Sequence, residues 1–366
     1  MREYFLIFIV AAAITYLSTP LVRALAVVTG AFTPVRDRDV HSTPIPRLGG
    51  VAIFLGFAAA ALVARELPYL KLVYNSGQIT GVLMGAAIVC LVGAVDDIHE
   101  LDWMTKLAGQ VLAAGVMAYQ GVQLLAIPFF GTSTVLPTPA LVAVTVVIVL
   151  ATANAVNFID GLDGLAAGVV GIAALSFFAY SYLVSRTYNP PNVFSNATFI
   201  TAAVLGCCVG FLPHNFHPAR LFMGDSGALL LGLLLASATI SITGNVDPSD
   251  FSGGDVSAAL LPIAVPLAVL SLPFLDLLLA VVRRTAAGQR PWHADAKHLH
   301  HRMLEIGHGH RTAVLILYLW AALLSLGTVS FAFVGGWQAS VVIAVCVAAA
   351  AVLTVWLPRW SSARRL

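Results

Sequence analysis

Four short polar motifs interrupt an otherwise apolar chain, and each holds residue types that can do chemistry. The first is Val95-Asp96-Asp97-Ile98-His99-Glu100-Leu101, with Lys106 close behind. Adjacent carboxylates repel unless a cation or a shared proton relieves them; the pair alone reads as a solvated loop, and a metal or general-base role needs partners from elsewhere in the chain. The second runs Asn154-Ala155-Val156-Asn157-Phe158-Ile159-Asp160-Gly161-Leu162-Asp163-Gly164-Leu165. Asn154 and Asn157 stand three residues apart and share one helix face, with Asp160 and Asp163 in the turn that follows. Gly161 and Gly164 allow a ligand close to the backbone and open a helix whose N-terminus suits phosphate. Two Asn and two Asp offer the hard oxygen donors that Mg²⁺ prefers; the plainer reading is a helix cap and loop solvation. The third motif, Phe222-Met223-Gly224-Asp225-Ser226-Gly227, has Arg220 just upstream and would alone suggest only a helix start. The fourth is Trp292-His293-Ala294-Asp295-Ala296-Lys297-His298-Leu299-His300-His301-Arg302. Between Arg283 and Arg311 lie six Lys or Arg and six His against two acids, a charge balance that attracts a polyanion. Histidine count alone would permit zinc, but the crowded spacing, the lack of cysteine and the nearby arginines fit a diphosphate clamp better.

The elements that must position these motifs are set by composition. Of the 366 residues, 59% are hydrophobic and 10% charged, with a mean hydropathy of +0.92. A soluble domain carries roughly 25% charged residues, and a disordered chain is far less apolar. The expectation is an all-α polytopic integral membrane protein forming a single catalytic domain over 1–366. Apolar runs fall near Tyr4–Val28, Gly49–Ala64, Gln78–Val95, Lys106–Tyr119, Pro139–Val156, Gly164–Val184, Ala197–Leu212, Gly227–Thr243, Val256–Val282, Thr312–Val334 and Trp337–Leu357. That gives about eleven crossings, or ten, several only just long enough. The first run is too long for a cleavable signal of roughly 7–15 apolar residues and is followed by basic residues, so it is read as a retained helix.

With the N-terminus outside and the C-terminus in the cytoplasm, fifteen of the nineteen basic residues face inward; only Arg2, Arg65, Lys71 and Arg186 do not. The cytoplasmic loops are then about 29–48, 96–106, 157–163, 213–226 and 283–311, and all ten histidines fall on that side. Ionisable groups at membrane depth are costly and usually functional, so the chemistry is expected to face the cytoplasm. The net charge of +2 gives no reason to expect nucleic acid. Cys90, Cys207, Cys208 and Cys346 lie inside spans and read as packing residues.

Taken in this order on one membrane face, the four motifs resemble the polyprenyl-phosphate N-acetylhexosamine-1-phosphate transferases of glycosyltransferase family 4. The likeness runs from about Asp37 to Arg311. His293-Ala-Asp295 followed by His298-Leu-His300-His301-Arg302 is similar to the bacterial N-acetylglucosamine branch, acting on undecaprenyl or decaprenyl phosphate. The pentapeptide branch has three adjacent histidines here, and the eukaryotic branch usually lacks an Asp at the place of Asp160.

The resemblance implies Mg²⁺-dependent transfer of N-acetylglucosamine-1-phosphate from UDP-N-acetylglucosamine to a membrane polyprenyl phosphate, releasing UMP. The product would be the first lipid-linked intermediate of a cell-envelope polysaccharide, made at the bacterial plasma membrane by a monomer or homodimer. Mn²⁺ would substitute for Mg²⁺. By the same resemblance Asn157 and Asp225 contact the metal, and Asp96, with Asp97 beside it, receives or relays the proton of the lipid phosphate. Lys106 holds phosphate; Asp160, Gly161, Leu162 and Asp163 form the strip that accepts uridine; Phe222 stacks on uracil. Asn154, His293, Asp295, His298, His300, His301 and Arg302 complete the substrate contacts. Direct attack by the lipid phosphate and a two-step route through a covalent Asp both fit these residues. Another UDP-N-acetylhexosamine or phospho-N-acetylmuramoyl-pentapeptide would serve the same chemistry.

Pro262, Pro266 and Pro273 in the run Val256–Val282 predict a kinked helix that leaves a groove for the polyprenyl tail. A transporter is the rival class, but it would carry its charges near the bilayer midplane and often an inverted repeat. A CDP-alcohol phosphatidyltransferase needs an arginine after Asp-Gly that neither Asp160-Gly161 nor Asp163-Gly164 has.

Overall fold

A computed structural model of the chain describes residues 1–33, 44–124, 127–129, 132–134, 137–188, 195–243, 265, 267–286, 288, 299–331 and 336–363. It is an all-α bundle: α1 Arg2–Thr29, α2 Gly49–Glu66, α3 Leu70–Asn75, α4 Gln78–His99, α5 Trp103–Tyr119, α6 Thr138–Ile159, α7 Leu165–Tyr188, α8 Asn196–Asn215 and α9 Gly224–Thr243. Then follow α10 Ser271–Ala286, α11 Leu299–Glu305, α12 His310–Ser330 and α13 Gly336–Ala363. Between α5 and α6 a small antiparallel hairpin pairs β1 (Ile127–Phe129) with β2 (Thr132–Thr134). In hydrocarbon every backbone polar group must be satisfied within the segment, which leaves helices as the way for such apolar runs to cross.

Among the described residues nine helices are long and apolar enough to span a membrane: α1, α2, α4, α6, α7, α8, α9, α12 and α13. The two other expected crossings, α5 at 17 residues and α10 at 16, are shorter. Of the three prolines expected to kink one long span, Pro262 and Pro266 lie outside the described residues. Pro273 stands in the first turn of α10, just after a turn at Leu270 that separates this helix from helical residues 267–269, so the helical path is interrupted beside the proline.

The core is organised around α9, buried on almost all sides and packed against α2, α4, α6, α7 and α8. Small residues let these helices approach. A side chain at Gly50 would overlap the backbone of Ser226 and Gly227, and one at Gly232 would overlap Ala153. Without a hydrophobic drive between helices in lipid, such close backbone contact is what holds the bundle. The opposite end of the bundle has its own ties: the Glu3 carboxylate accepts from the N–H of Tyr69 and Leu70, and Ser195 N donates to Tyr4 Oη.

Candidate active site

Three of the four motifs meet at one end of the bundle, and helix termini rather than long loops carry them. Asp96 and Asp97 belong to the last turn of α4, and Asn157 to that of α6, because both helices run further than the loop bounds read from sequence. The chain leaves α4 through Glu100, whose φ of 50° makes the tight exit, and Asp102 restarts it as the N-cap of α5. The Asp102 carboxylate accepts from the N–H groups of Met104 and Thr105 and from the Thr105 hydroxyl, and these bonds hold its pKa below the usual carboxylate range.

That short connection brings Lys106 under two acids. Its Nζ lies 2.6 Å from Asp96 Oδ2 and 2.9 Å from Asp225 Oδ2, so one ammonium ties α4, α5 and α9 together. Asp96 is fixed from its other side by Leu101 N, 2.7 Å from Oδ1.

Asp97 is turned elsewhere. Its side chain is fully buried and accepts the N–H of Asp225 at 2.9 Å and of Ser226 at 3.2 Å, which makes it a cap on the N-terminus of α9 contributed by another helix. Gly224 (φ 71°) is required there twice over, by its backbone conformation and because a Cβ would strike this carboxylate. Arg47 steadies the arrangement, donating from Nε to the Asp97 carbonyl oxygen at 3.0 Å. Phe222 N donates to Pro46 O, and Gly49 N donates to Phe222 O, so residues 46–49 hold Phe222 in place. Asp97 therefore joins α4 to the first turn of α9, which carries Asp225.

The turn after α6 is equally well fastened. Asp163 is buried, and its Oδ2 accepts from Ala219 N at 3.0 Å and lies 2.8 Å from His217 Nδ1. Its own N–H donates to His310 Nε2 at 3.1 Å. The His217 and His310 rings stack with centroids 4.2 Å apart. Gly164 (φ 78°) donates to Asn215 Oδ1 and its carbonyl accepts from the Tyr318 hydroxyl. Gly164 is thus needed for the turn and for packing on Phe216. Leu162 is 4% exposed and packs into the core, so its side chain offers no ligand surface; Gly161 is exposed. Asn154 donates through its amide to Gln110 Oε1 and Leu150 O, which makes it a tie between α6 and α5.

Asp160, half-buried at the end of α6, has its pKa pushed up to about 8, first by burial among protein atoms and then by the charges of Asp225, Asp97 and Asp163. Asp225 opens α9 at this end, and Asn157 stands in the last turn of α6. Among the described residues, the three metal-type donors within 4.8 Å of one another are Asp163, His217 and His310; Asp163 bonds His217 through its carboxylate and His310 through its backbone N–H.

Of the fourth motif, His293, Asp295 and His298 lie outside the described residues. His300 and His301 fall on the backbone of α11, with their side chains outside the described set, and Arg302 is exposed on the same helix. The sequence reading missed Arg47, Asn215, His217 and His310. Their only signal was being polar at the same ends of spans as the motifs.

The model of the family described as Glycosyl transferase family 4 matches residues 79–243. A relative from Mycolicibacterium smegmatis, named decaprenyl-phosphate N-acetylglucosaminephosphotransferase, is 42% identical over 97% of this chain and 88% of its own length. The protein of the same name from Mycobacterium tuberculosis is 42% identical over 91% of this chain and 83% of its own. A Bacillus subtilis protein named probable undecaprenyl-phosphate N-acetylglucosaminyl 1-phosphate transferase is 30% identical over 88% of this chain and 83% of its own.

Proposed function

The chain belongs to glycosyl transferase family 4, and we propose that it transfers N-acetylglucosamine-1-phosphate from UDP-N-acetylglucosamine to a membrane polyprenyl phosphate, releasing UMP. A phosphate oxygen of the lipid forms a bond to the sugar-bearing phosphorus, and the bond from that phosphorus to the UMP oxygen breaks. The observation that carries this reading is the meeting of Asp96, Lys106 and Asp225 at the end of the bundle that also holds the turn 160–164.

Two anionic substrates must approach each other here, so charge neutralisation is a large part of the barrier. Lys106 uses two of its three N–H groups on Asp96 and Asp225 and, at 29% side-chain exposure, keeps one for phosphate. Asp96, fixed by Leu101 N, takes the proton of a monoanionic lipid phosphate. The turn 160–164 receives uridine through its backbone and Asp160, and Phe222 offers its ring to uracil. Asp225 and Asn157 would hold Mg²⁺, which when bound would supply Lewis-acid charge neutralisation to a diphosphate. The basic segment Arg283–Arg311 accounts for the remaining diphosphate and sugar contacts. UDP-sugars are made in the cytoplasm and cannot cross a bilayer, so this end of the bundle faces inward, in the plasma membrane of a bacterium.

Asp225→Asn keeps the helix start and one hydrogen-bond acceptor but loses the charge. Transfer should fall about a hundredfold or more with the fold retained, as for loss of one preorganised electrostatic partner. Activity within about threefold of wild type, read as UMP release by purified protein, would remove Asp225 from the site.

A further inference from the structure

We propose that His217 and His310 form, with Asp163, a proton-sensitive clasp that shapes the donor-binding turn. His310 is in this view a positioning residue for the nucleotide sugar and not for the lipid. The inference rests on the donor assignment made above for residues 160–164.

Three separate elements meet in the clasp. Asp163 comes from the turn after α6, His217 from the connection between α8 and α9, and His310 from the first turn of α12. Two of its bonds differ in what they tolerate. The His217 Nδ1–Asp163 Oδ2 contact at 2.8 Å survives whether the imidazole is neutral or charged, since Nδ1–H donates in both cases. The bond at His310 does not. Its Nε2 accepts the Asp163 N–H at 3.1 Å, and an acceptor nitrogen cannot also carry a proton. A protonated His310 would turn an N–H against that N–H and place a cation 4.2 Å from the His217 ring.

The charged groups around the pair come from each packed element. Asp163 and, beyond it, Asp160 belong to the turn; Arg311 on α12 donates from Nε to His217 O at 3.2 Å; exposed Arg220 shares the His217 segment. With His310 neutral, the N–H of Asp163 is held and the carboxylate stays on His217 and Ala219. With His310 charged, the backbone at Asp163 is released, and the strip Asp160–Asp163 loses its shape. Asp96 and Lys106 sit on α4 and α5, outside this network, so acceptor binding is untouched.

The experiment measures KM for UDP-N-acetylglucosamine and for undecaprenyl phosphate on the full chain in detergent with Mg²⁺, between pH 5.5 and 8.5, with His310→Gln and His310→Ala. Wild-type donor KM should rise about fivefold or more toward acid, the worth of roughly one hydrogen bond, with acceptor KM changing less than about twofold. A glutamine amide oxygen accepts at every pH, so His310→Gln should hold the pH 8 donor KM and flatten its acid rise. His310→Ala should raise donor KM at every pH. A flat wild-type profile, an acid rise that persists in His310→Gln, or equal loss of donor and acceptor affinity in His310→Ala each overturns the clasp.

If wild-type protein transfers no sugar phosphate, the donor reading fails by itself. Hydrogen exchange of residues 160–164 then judges the clasp without turnover. Faster exchange in wild type than in His310→Gln at acid pH supports it, and equal exchange overturns it.

Discussion

Lys106 stands between Asp96 and Asp225, and the two carboxylates are paired only because the three-residue connection 100–102 brings α5 back so quickly. Asp160 shows no such ion pair among the described residues, and its raised pKa makes a stability prediction. An unfolded Asp titrates near about 4. The folded state holds its proton to about 8, so it binds more protons than the unfolded state between those values. Stability therefore falls as pH rises through that window and levels off above it. Asp160→Asn removes this loss. Its thermal midpoint relative to wild type should improve from pH 5 to pH 8, and added Mg²⁺ should shrink the gap by neutralising the wild-type acids. A variant less stable than wild type at pH 8 would place a needed negative charge at Asp160. At this scale the acids were legible because carboxylates are rare in so apolar a chain. Residue type does not reveal which hydrogen bonds a side chain already makes, so the ties of Asn154 to Gln110 and of Asp97 to the start of α9 were not legible. His217 and His310 went unnoticed because their shared partner, Asp163, lies far away in sequence.

Among the elements, α9 decides the site, since its first turn presents Asp225 and its N-terminal N–H groups need acceptors. Asp97 supplies them from α4. Asp97→Ala should lower stability by about 1–3 kcal/mol, the cost of leaving buried donors unpaired. Asp97→Asn, whose amide oxygen can still accept, should lose less stability and keep part of the activity. A fully stable but inactive Asp97→Asn would return Asp97 to the chemistry itself. Helix positions were readable from runs of apolar residues, but helix ends were not. The sequence expectation stopped α4 at Val95 and α6 at Val156, where polarity begins, whereas both continue through the polar residues to His99 and Ile159. Polar side chains at these ends find partners on neighbouring helices, so a change in polarity marks a site here and not a helix end.

For the molecule as a whole, hydrogen bonds sort the helix ends into two faces, one with the acids and histidines, the other with Glu3, Gln78 and Ser195. The excess of Lys and Arg on the first face predicts that it is cytoplasmic. In a cysteine-free background, a cysteine at His99 should resist an impermeant thiol reagent in intact cells and react after lysis, while one at Asn75 should react without lysis. The reverse pattern would exclude a cytoplasmic UDP-sugar as donor. The membrane class was legible from composition alone. Helices of 17 and 16 residues show why the count of crossings was less so: short spans are recognised by packing as much as by length. The central claim is the transfer itself, and product analysis tests it most directly. Purified protein given UDP-N-acetylglucosamine, undecaprenyl phosphate and Mg²⁺ should release one UMP for each undecaprenyl-diphosphate-N-acetylglucosamine formed, and chelation of the metal should stop both. UDP as the leaving product, or a lipid carrying one phosphate instead of two, would contradict it.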